Sequence, residues 1–367
     1  TSMLETLKKH VTKNLIWRIV ISVIIIGAVF FFSGKSILMF LKGPEPITAG
    51  MDYDDAEGSY VSFDARYIVD EYVRQTERNT DTKKETLKNI SYFVYFEEDG
   101  YFFGIEVPSS KEDEMNQYID DTISWLNGEV EELTNVKPVK GTWTKLTGKR
   151  LQYYQEQITD DLGAVVLEIA LPYYIDSNKV GERTNVSIYI CLAVIALTLI
   201  YLLYSLIQYF TGSSQKYLKK YLEANPTVAM EHLEADFASA SAISKSIWVG
   251  RRWTFHISGI YTNLIENKDL VWAYYYYRSG RHSESTLRLY DINRHLHSLS
   301  ASEKEAKAAL AVYEQQQPHM VLGYSKEMEK LHDKDFQGFL NLRYNRPVEE
   351  LQTAPDEPWN YTNPEES

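Results

Sequence analysis

Two long apolar runs interrupt an otherwise mixed chain. Val186 to Phe210 (VSIYICLAVIALTLIYLLYSLIQYF) holds 25 residues without a charge, and about 20 apolar residues suffice for a helix to cross a bilayer. Leu15 to Phe32 (LIWRIVISVIIIGAVFFF) is the second run. Arg18 interrupts it near one end, where a long side chain can reach the headgroups. The pattern resumes after Lys35 in SILMFL, so a helix over residues 15–41 is expected. No small-x-small site follows the run, which reads as an uncleaved anchor and not a signal peptide.

Between the two runs the period changes to that of strands. GSYVSFDARYIVDEYV (58–73) mixes alternation with apolar stretches and opens as a strand. ISYFVYFEEDGYFFGIEV (90–107) places two aromatic, β-favouring runs around Glu-Glu-Asp-Gly, a hairpin signal. Ser109-Ser110-Lys111-Glu112 has the form of a capping box, and Met115, Ile119, Ile123 and Leu126 follow at helical spacing. A helix is therefore expected over 110–127, ending near Gly128. Strands are expected at 136–146 and from Ala164 to Ile175. A small β-barrel with an inserted helix, of the oligonucleotide/oligosaccharide-binding type, fits this order for residues 44–180.

After the second run, SSQKYLKKYLEANP reads as a short basic helix, and Pro226-Thr227 opens another with Val228, Met230, Leu233 and Phe237 inward. Strands follow in KSIWVGRRWTFHIS, IYTNLIEN, DLVWAYYYYR, STLRLYD and HLHSL. Strand alternation puts Leu270, Trp272, Tyr274 and Tyr276 on one face, and Val271, Ala273, Tyr275 and Tyr277 on the other. Both faces are apolar, as in a strand covered on both sides, so the four tyrosines are read as structural. A helix over 302–317 is capped by Ser302-x-x-Glu305 and ended by Pro318. MVLGY and a last helix with Met328, Leu331 and Phe336 complete a domain over 211–346, and residues 347–367 read as a disordered acidic tail.

Charge divides the chain the same way. Residues 44–180 hold 28 acidic and 13 basic side chains, residues 211–367 hold 21 and 18, and the formal net charge is -13. This balance argues against general nucleic-acid binding. Lys8, Lys9, Lys13 and Arg18 flank the first helix, and Lys216, Lys219 and Lys220 follow the second. The excess lies outside both helices, which predicts cytoplasmic termini, residues 1–14 included, and an extracytoplasmic segment 44–180. The lone cysteine, Cys191, rules out an intrachain disulfide or a cysteine zinc site.

Candidate chemistry is sparse. Residues 44–180 contain no histidine, the commonest general base. Tyr92, Tyr95, Tyr101 and Phe103 are candidates for an aromatic binding face on the exported domain, with packing as the bland reading. Arg251, Arg252, Arg278 and Arg281 fall near strand ends and are candidate contacts for an acidic partner or anionic lipid, with a solvated rim as the alternative. His295 and His297 share a strand face and offer a weak metal site; with His282 they would serve a membrane-bound metal-dependent hydrolase. No Gly-rich phosphate cradle is present, and no cofactor is expected.

The Trp/Gly-bearing strand IWVGRRWTF, the hairpins LVWAYYYYR and LRLYDINRHLHSL and the closing helix resemble small pleckstrin-homology-like domains of bacterial membrane proteins. The whole chain resembles a Gram-positive bacterial family of two-pass membrane proteins of unknown function. That resemblance implies a plasma-membrane protein and carries over no catalytic residue. The expectation is an α+β, non-enzymatic scaffold or coupling protein with the bilayer and protein partners, or a second copy of itself, as its contacts. A sensor whose exported domain binds a ligand and signals through the helix pair is the first alternative, and the metal-dependent hydrolase is the second.

Overall fold

The computed structural model of the chain describes residues 2–259, 261–280 and 283–345. It divides into two compact units, one formed by residues 22–200 and the other by the stretches up to Ile21 and from Tyr201 onward. Helix α1 runs unbroken from Met3 to Lys42. No proline occurs before Pro44, and Gly43, at φ +88°, stops the helix in a conformation that favours glycine. A second helix, Asn185–Phe210, carries the other apolar run. Both are long and apolar enough to cross a membrane.

The unit of residues 22–200 is built on one sheet. Its strands are β1 (Glu45–Pro46), β2 (Tyr60–Ala65), β3 (Tyr67–Arg78), β4 (Glu85–Phe96), β5 (Tyr101–Pro108), β6 (Lys137–Lys145) and β7 (Ala170–Asp176), in the order β1-β2-β6-β7-β5-β4-β3. Helix α2 (Glu112–Leu126) follows β5, and α3 (Gly148–Leu162) follows β6. A short hairpin, β8 (Lys179–Val180) with β9 (Arg183–Thr184), leads into α4, the Asn185–Phe210 helix. Only Arg66 separates β2 from β3, although they lie near opposite ends of the strand order, so the sheet must coil to bring them together. No ladder joins β2 to β3 among the described residues. The sheet stays open, and the expected small barrel does not close.

Alternation sets the two faces of this sheet. Tyr92, Val94, Phe103, Ile105, Trp143 and Ile175 form one core, covered by Met115 and Ile119 of α2. Tyr72, Phe93, Tyr154, Ile158 and Tyr174 form the other, under α3. The predicted hairpin at 97–100 is present. The predicted capping box is not: Ser109 donates its hydroxyl to the Leu87 carbonyl at 2.9 Å, and α2 starts at Glu112. Ile123 and Leu126 are exposed, because α2 turns Met115, Tyr118, Ile119 and Thr122 to the sheet instead.

The second unit is layered. Two more helices, α5 (Lys216–Ala224) and α6 (Met230–Ser239), precede a sheet of β10 (Ser241–Ala242), β11 (Ile247–Val249), β12 (Trp253–Ser258) and β13 (Tyr261–Glu266). A second sheet holds β14 (Leu270–Arg278), β15 (Glu284–Asp291), β16 (Leu296–Ser300) and β17 (Val321–Leu322). Helix α7 (Glu303–Gln316) precedes β17, and α8 (Lys326–Lys334) and α9 (Phe336–Asn345) follow it. Ile247, Ile265, Ala273, Leu289 and Tyr313 share a core between the sheets and α7. Ser302 and Glu305 form the predicted reciprocal cap of α7. No ladder joins the two sheets among the described residues, so no barrel closes here either.

The outer face of the first sheet, Trp253, Phe255 and Ile257, packs with Leu218, Leu233 and Phe237, and with Met3, Leu7 and Val11 of α1. Residues 1–14 therefore include three helical turns of a folded core and are more than a tail. Glu234 accepts the free backbone N–H groups of Met3 at 2.7 Å and Leu4 at 3.1 Å, which caps α1 from α6. The last turns of α1 serve the other unit, where Met39 and Phe40 pack with Tyr60, Val180 and Ile188.

The tyrosine strand β14 is covered on both faces from Leu270 to Tyr275, with a shift, while Tyr276 is half-buried and Tyr277 is exposed. A β-bulge between Leu270 and Trp272 puts one extra residue in the strand. Leu270 thereby joins Ala273 and Tyr275 on the α7 side, while Val271 joins Trp272 and Tyr274 under α8 and α9. Simple alternation assigns both residues to the wrong face.

Candidate functional site

The aromatic residues singled out by sequence do not form one wall. Tyr92 and Phe103 are fully buried in the core of the first sheet. Tyr95 lies on the opposite face to Tyr92, its ring 4.9 Å from that of Phe102, and Tyr101 sits edge-on to Tyr53. Tyr95 lines an open cleft of about 430 Å³ with Phe63, Asp64, Arg66, Tyr67 and Glu97. The Nε of Arg66 is buried there without a hydrogen-bond partner.

The arginines also separate. Arg251 and Arg252 occupy the turn between β11 and β12, where the Asp236 carboxylate accepts both of their backbone N–H groups. The Arg252 guanidinium lies 4.3 Å from the Trp253 ring centre. Arg278 ends β14 in the other sheet, opposite Glu284. Arg281 and His282 lie outside the described residues, as does the acidic tail. Sequence reading passed over Arg288, which sits mid-strand with its guanidinium 3.4 Å from the Tyr276 ring centre.

His295 Nδ1 and His297 Nε2 approach the same oxygen, Asp291 Oδ2, at 3.4 and 3.2 Å. Asp291 Oδ1 accepts the N–H groups of Asn293 and His295, so this carboxylate ties a hairpin turn. Burial pushes the Asp291 carboxyl up, but these N–H groups and the His297 ring outweigh it and hold it below the usual range. No group of three or more His, Cys, Asp or Glu is placed to hold a metal ion among the described residues.

The most heavily charged interior point lies elsewhere. Glu106 and Asp176 stand directly opposite each other on the parallel strands β5 and β7, and each is 3% exposed. Parallel register puts both side chains on the α3 face. Arg150 of α3 meets Glu106 Oε2 at 2.9 Å, and Lys179 meets Asp176 Oδ2 at 3.2 Å. Ser91 donates to Glu106 Oε2 at 3.2 Å. The Arg150 guanidinium lies 4.8 Å from the Tyr174 ring centre. Two residues before Glu106, a Cβ on Gly104 would fall 2.4 Å from the Tyr72 hydroxyl and 2.8 Å from Tyr174 Cβ. Glycine here lets both tyrosines close over the strand. Burial raises the Glu106 carboxyl above its ordinary value against the pull of Arg150, with Asp176 adding to the rise. Burial pushes the Tyr174 hydroxyl up to about 12.

This arrangement is a buried, ion-paired charge cluster; among the described residues it offers no paired nucleophile and base. Its hydrogen bonds lead directly to α4. Asn89 links to Asn178 at 3.2 Å, and Asn178 N–H donates to Asp176 Oδ1 at 3.1 Å. Asn185, the first residue of α4, donates its side chain to Ser177 O and its backbone N–H to Asn178 O, both at 2.8 Å. One signal for the site was present in the sequence: Glu106 is the lone charge inside YFFGIEV. Its partner Arg150 lies on α3, a helix that the sequence reading did not find.

Two family models match the chain. One, Domain of unknown function (DUF8577), matches residues 4–208, and the other, Domain of unknown function (DUF6709), matches residues 212–332. The first takes in nearly all of both apolar helices and everything between them; the second runs from the end of α4 into α8. No curated protein and no solved structure matches the chain. With more than half of its length matched by the first model, the chain belongs to the DUF8577 family.

Proposed function

We propose that this protein is a two-pass, non-enzymatic membrane coupling protein. Residues 44–180 form its extracytoplasmic domain, and the layered unit after α4 is a cytoplasmic binding domain of pleckstrin-homology-like type. One observation carries the reading: α1 is a single helix with Met3, Leu7 and Val11 in the core of one unit and Met39 and Phe40 in the packing of the other. At 1.5 Å per residue such a helix is about 60 Å long, more than the roughly 40–45 Å of a whole bilayer. Lysines outside both helices support cytoplasmic termini, and the two mainly antiparallel sheets packed with α7 support the pleckstrin-homology-like layout.

Topology is tested with single cysteines in a Cys191→Ser background. A cysteine at Ser110 should react with an impermeant maleimide in intact cells, and one at Lys304 should not. Reversed labelling overturns the orientation. Coupling is tested by hydrogen exchange of residues 3–14 in the purified full chain: Glu106→Gln should change their protection, and unchanged exchange removes the coupling role.

A ligand sensor is the second reading, favoured by the cleft beside Tyr95. Its volume lies within the roughly 300–1,000 Å³ of small-molecule sites, and Arg66, paired with Glu97 at 3.4 Å, lines it. A ligand-induced melting shift that Arg66→Ala abolishes would support it.

A further inference from the structure

The helix α1 has a second, largely open face, tied to the rest of the fold by the 3.3 Å contact of Thr12 Oγ1 with the Tyr209 hydroxyl. Met3, Leu7 and Val11 point into a core. Glu5, Lys8, Lys9, Thr12, Lys13, Ile16 and Trp17 instead line an open groove of about 650 Å³ along the helix. Lys8, Lys9 and Lys13 are exposed, and none has an ion-pair partner among the described residues. Ile16 and Trp17, on the same stripe, are 55% and 57% exposed. The groove is thus cationic at one end and apolar at the other.

Arg18, the next cation along α1, is already engaged. Arg18 donates to Ser205 at 3.1 Å and to Gln208 at 3.4 Å. Toward the other end of α1, Lys42 pairs with Glu45 at 2.6 Å and Arg183 donates to Phe32 O at 2.7 Å. The three lysines keep all their donors.

We propose that this stripe binds an anionic phospholipid, with the phosphate held by Lys9 and Lys13, Lys8 alongside, and an acyl chain lying over Ile16 and Trp17. Tryptophan settles at the headgroup level. Lys13 lies four residues from Trp17 and Lys9 eight, or about 6 and 12 Å along the helix. The polar layer of one leaflet is roughly 5–8 Å deep, so both ammonium groups fall at or just beyond phosphate depth. Rigidity adds to the case: the opposite face of the same turns is fixed in a folded core, so the lysine backbones are held at one height before binding.

This inference rests on the membrane-spanning reading but not on which side the termini face. The test uses the full chain in lipid nanodiscs of phosphatidylcholine with a minor fraction of brominated lipid, and reads the fluorescence lost between wild type and Trp17→Phe. Brominated phosphatidylglycerol should quench Trp17 at about tenfold lower mole fraction than brominated phosphatidylcholine, given attraction at each lysine. Lys8→Gln, Lys9→Gln and Lys13→Gln together should erase that preference. Lys216→Gln, Lys219→Gln and Lys220→Gln together should leave it intact. Equal quenching by the two lipids overturns the site, as does a preference lost equally in both triple variants. A protein that stays in solution and does not enter nanodiscs overturns the membrane reading itself.

Discussion

Arg150→Ala is the sharpest test of the buried carboxylates. The substitution leaves Glu106, 3% exposed, without its nearest cation, and Asp176 in register beside it. Removing one partner of a buried ion pair costs about 3–5 kcal/mol. The Arg150 side chain is 25% exposed, so part of the attraction is screened, and a loss of about 3 kcal/mol is expected near neutral pH. The sign with pH follows from linkage. Burial has already raised the folded-state Glu106 carboxyl above its ordinary value, and loss of Arg150 raises it further. A raised carboxyl contributes stability that is fully present below the unfolded value and is lost as pH rises through the folded one. The gap between variant and wild type should therefore be widest near pH 7 and shrink as pH falls toward about 4.5. The assay is urea unfolding of the full chain in mild detergent across this range, followed through tryptophan fluorescence. Glu106→Gln in the Arg150→Ala background should recover much of the loss, because an amide carries no charge to strand. A pH-independent deficit, or a double variant no more stable than Arg150→Ala, would refute the electrostatic account.

Two further predictions concern the layered unit. Trp272 is 1% exposed, lies among the rings of Tyr274, Tyr290, His332 and Phe339, and donates its indole N–H to Gly323 O at 2.7 Å. Trp272→Ala should lower stability by about 3–5 kcal/mol in urea unfolding, and an unchanged midpoint would mean that the ring is not a core element. Ser302→Ala removes the reciprocal cap with Glu305 and should cost about 1 kcal/mol, with faster hydrogen exchange confined to the first turn of α7.

Apolar patterning revealed the two long helices, the 90–107 hairpin and the strand run from Ile247 to Ser300, because each is long or strongly apolar and bounded by turn or charged residues. It missed α3, whose sequence GKRLQYYQEQITDDL buries only Tyr154 and Ile158 outright; so thin a stripe does not stand out from a polar loop. It misplaced Leu270 and Val271, since a bulge changes which face a residue takes without changing composition. The first turns of α1 were read only for charge, although Met3, Leu7 and Val11 already recur at helical spacing. The carboxylate site was half legible. A lone glutamate in an apolar strand marks a buried charge, but the register that sets it beside Asp176 depends on a crossover that brings β7 against β5 from 70 residues downstream.

That crossover fixes an order of events during folding. β3, β4 and β5 form a local meander, while β2 must wait for β6, more than 70 residues later. No strand ladder joins these two halves among the described residues until β7, the central strand and the last in sequence, enters between β6 and β5. Pairings so distant in sequence form slowly. Until then the edge of β5 is open to any passing strand, and Glu106 stands in water, fully ionised at neutral pH and free of strain. Completion of the sheet and burial of the charge are thus expected to coincide, late in folding. It finishes at Asp176, nine residues before α4 begins, so α4 inherits its starting position from the last strand of the domain it follows.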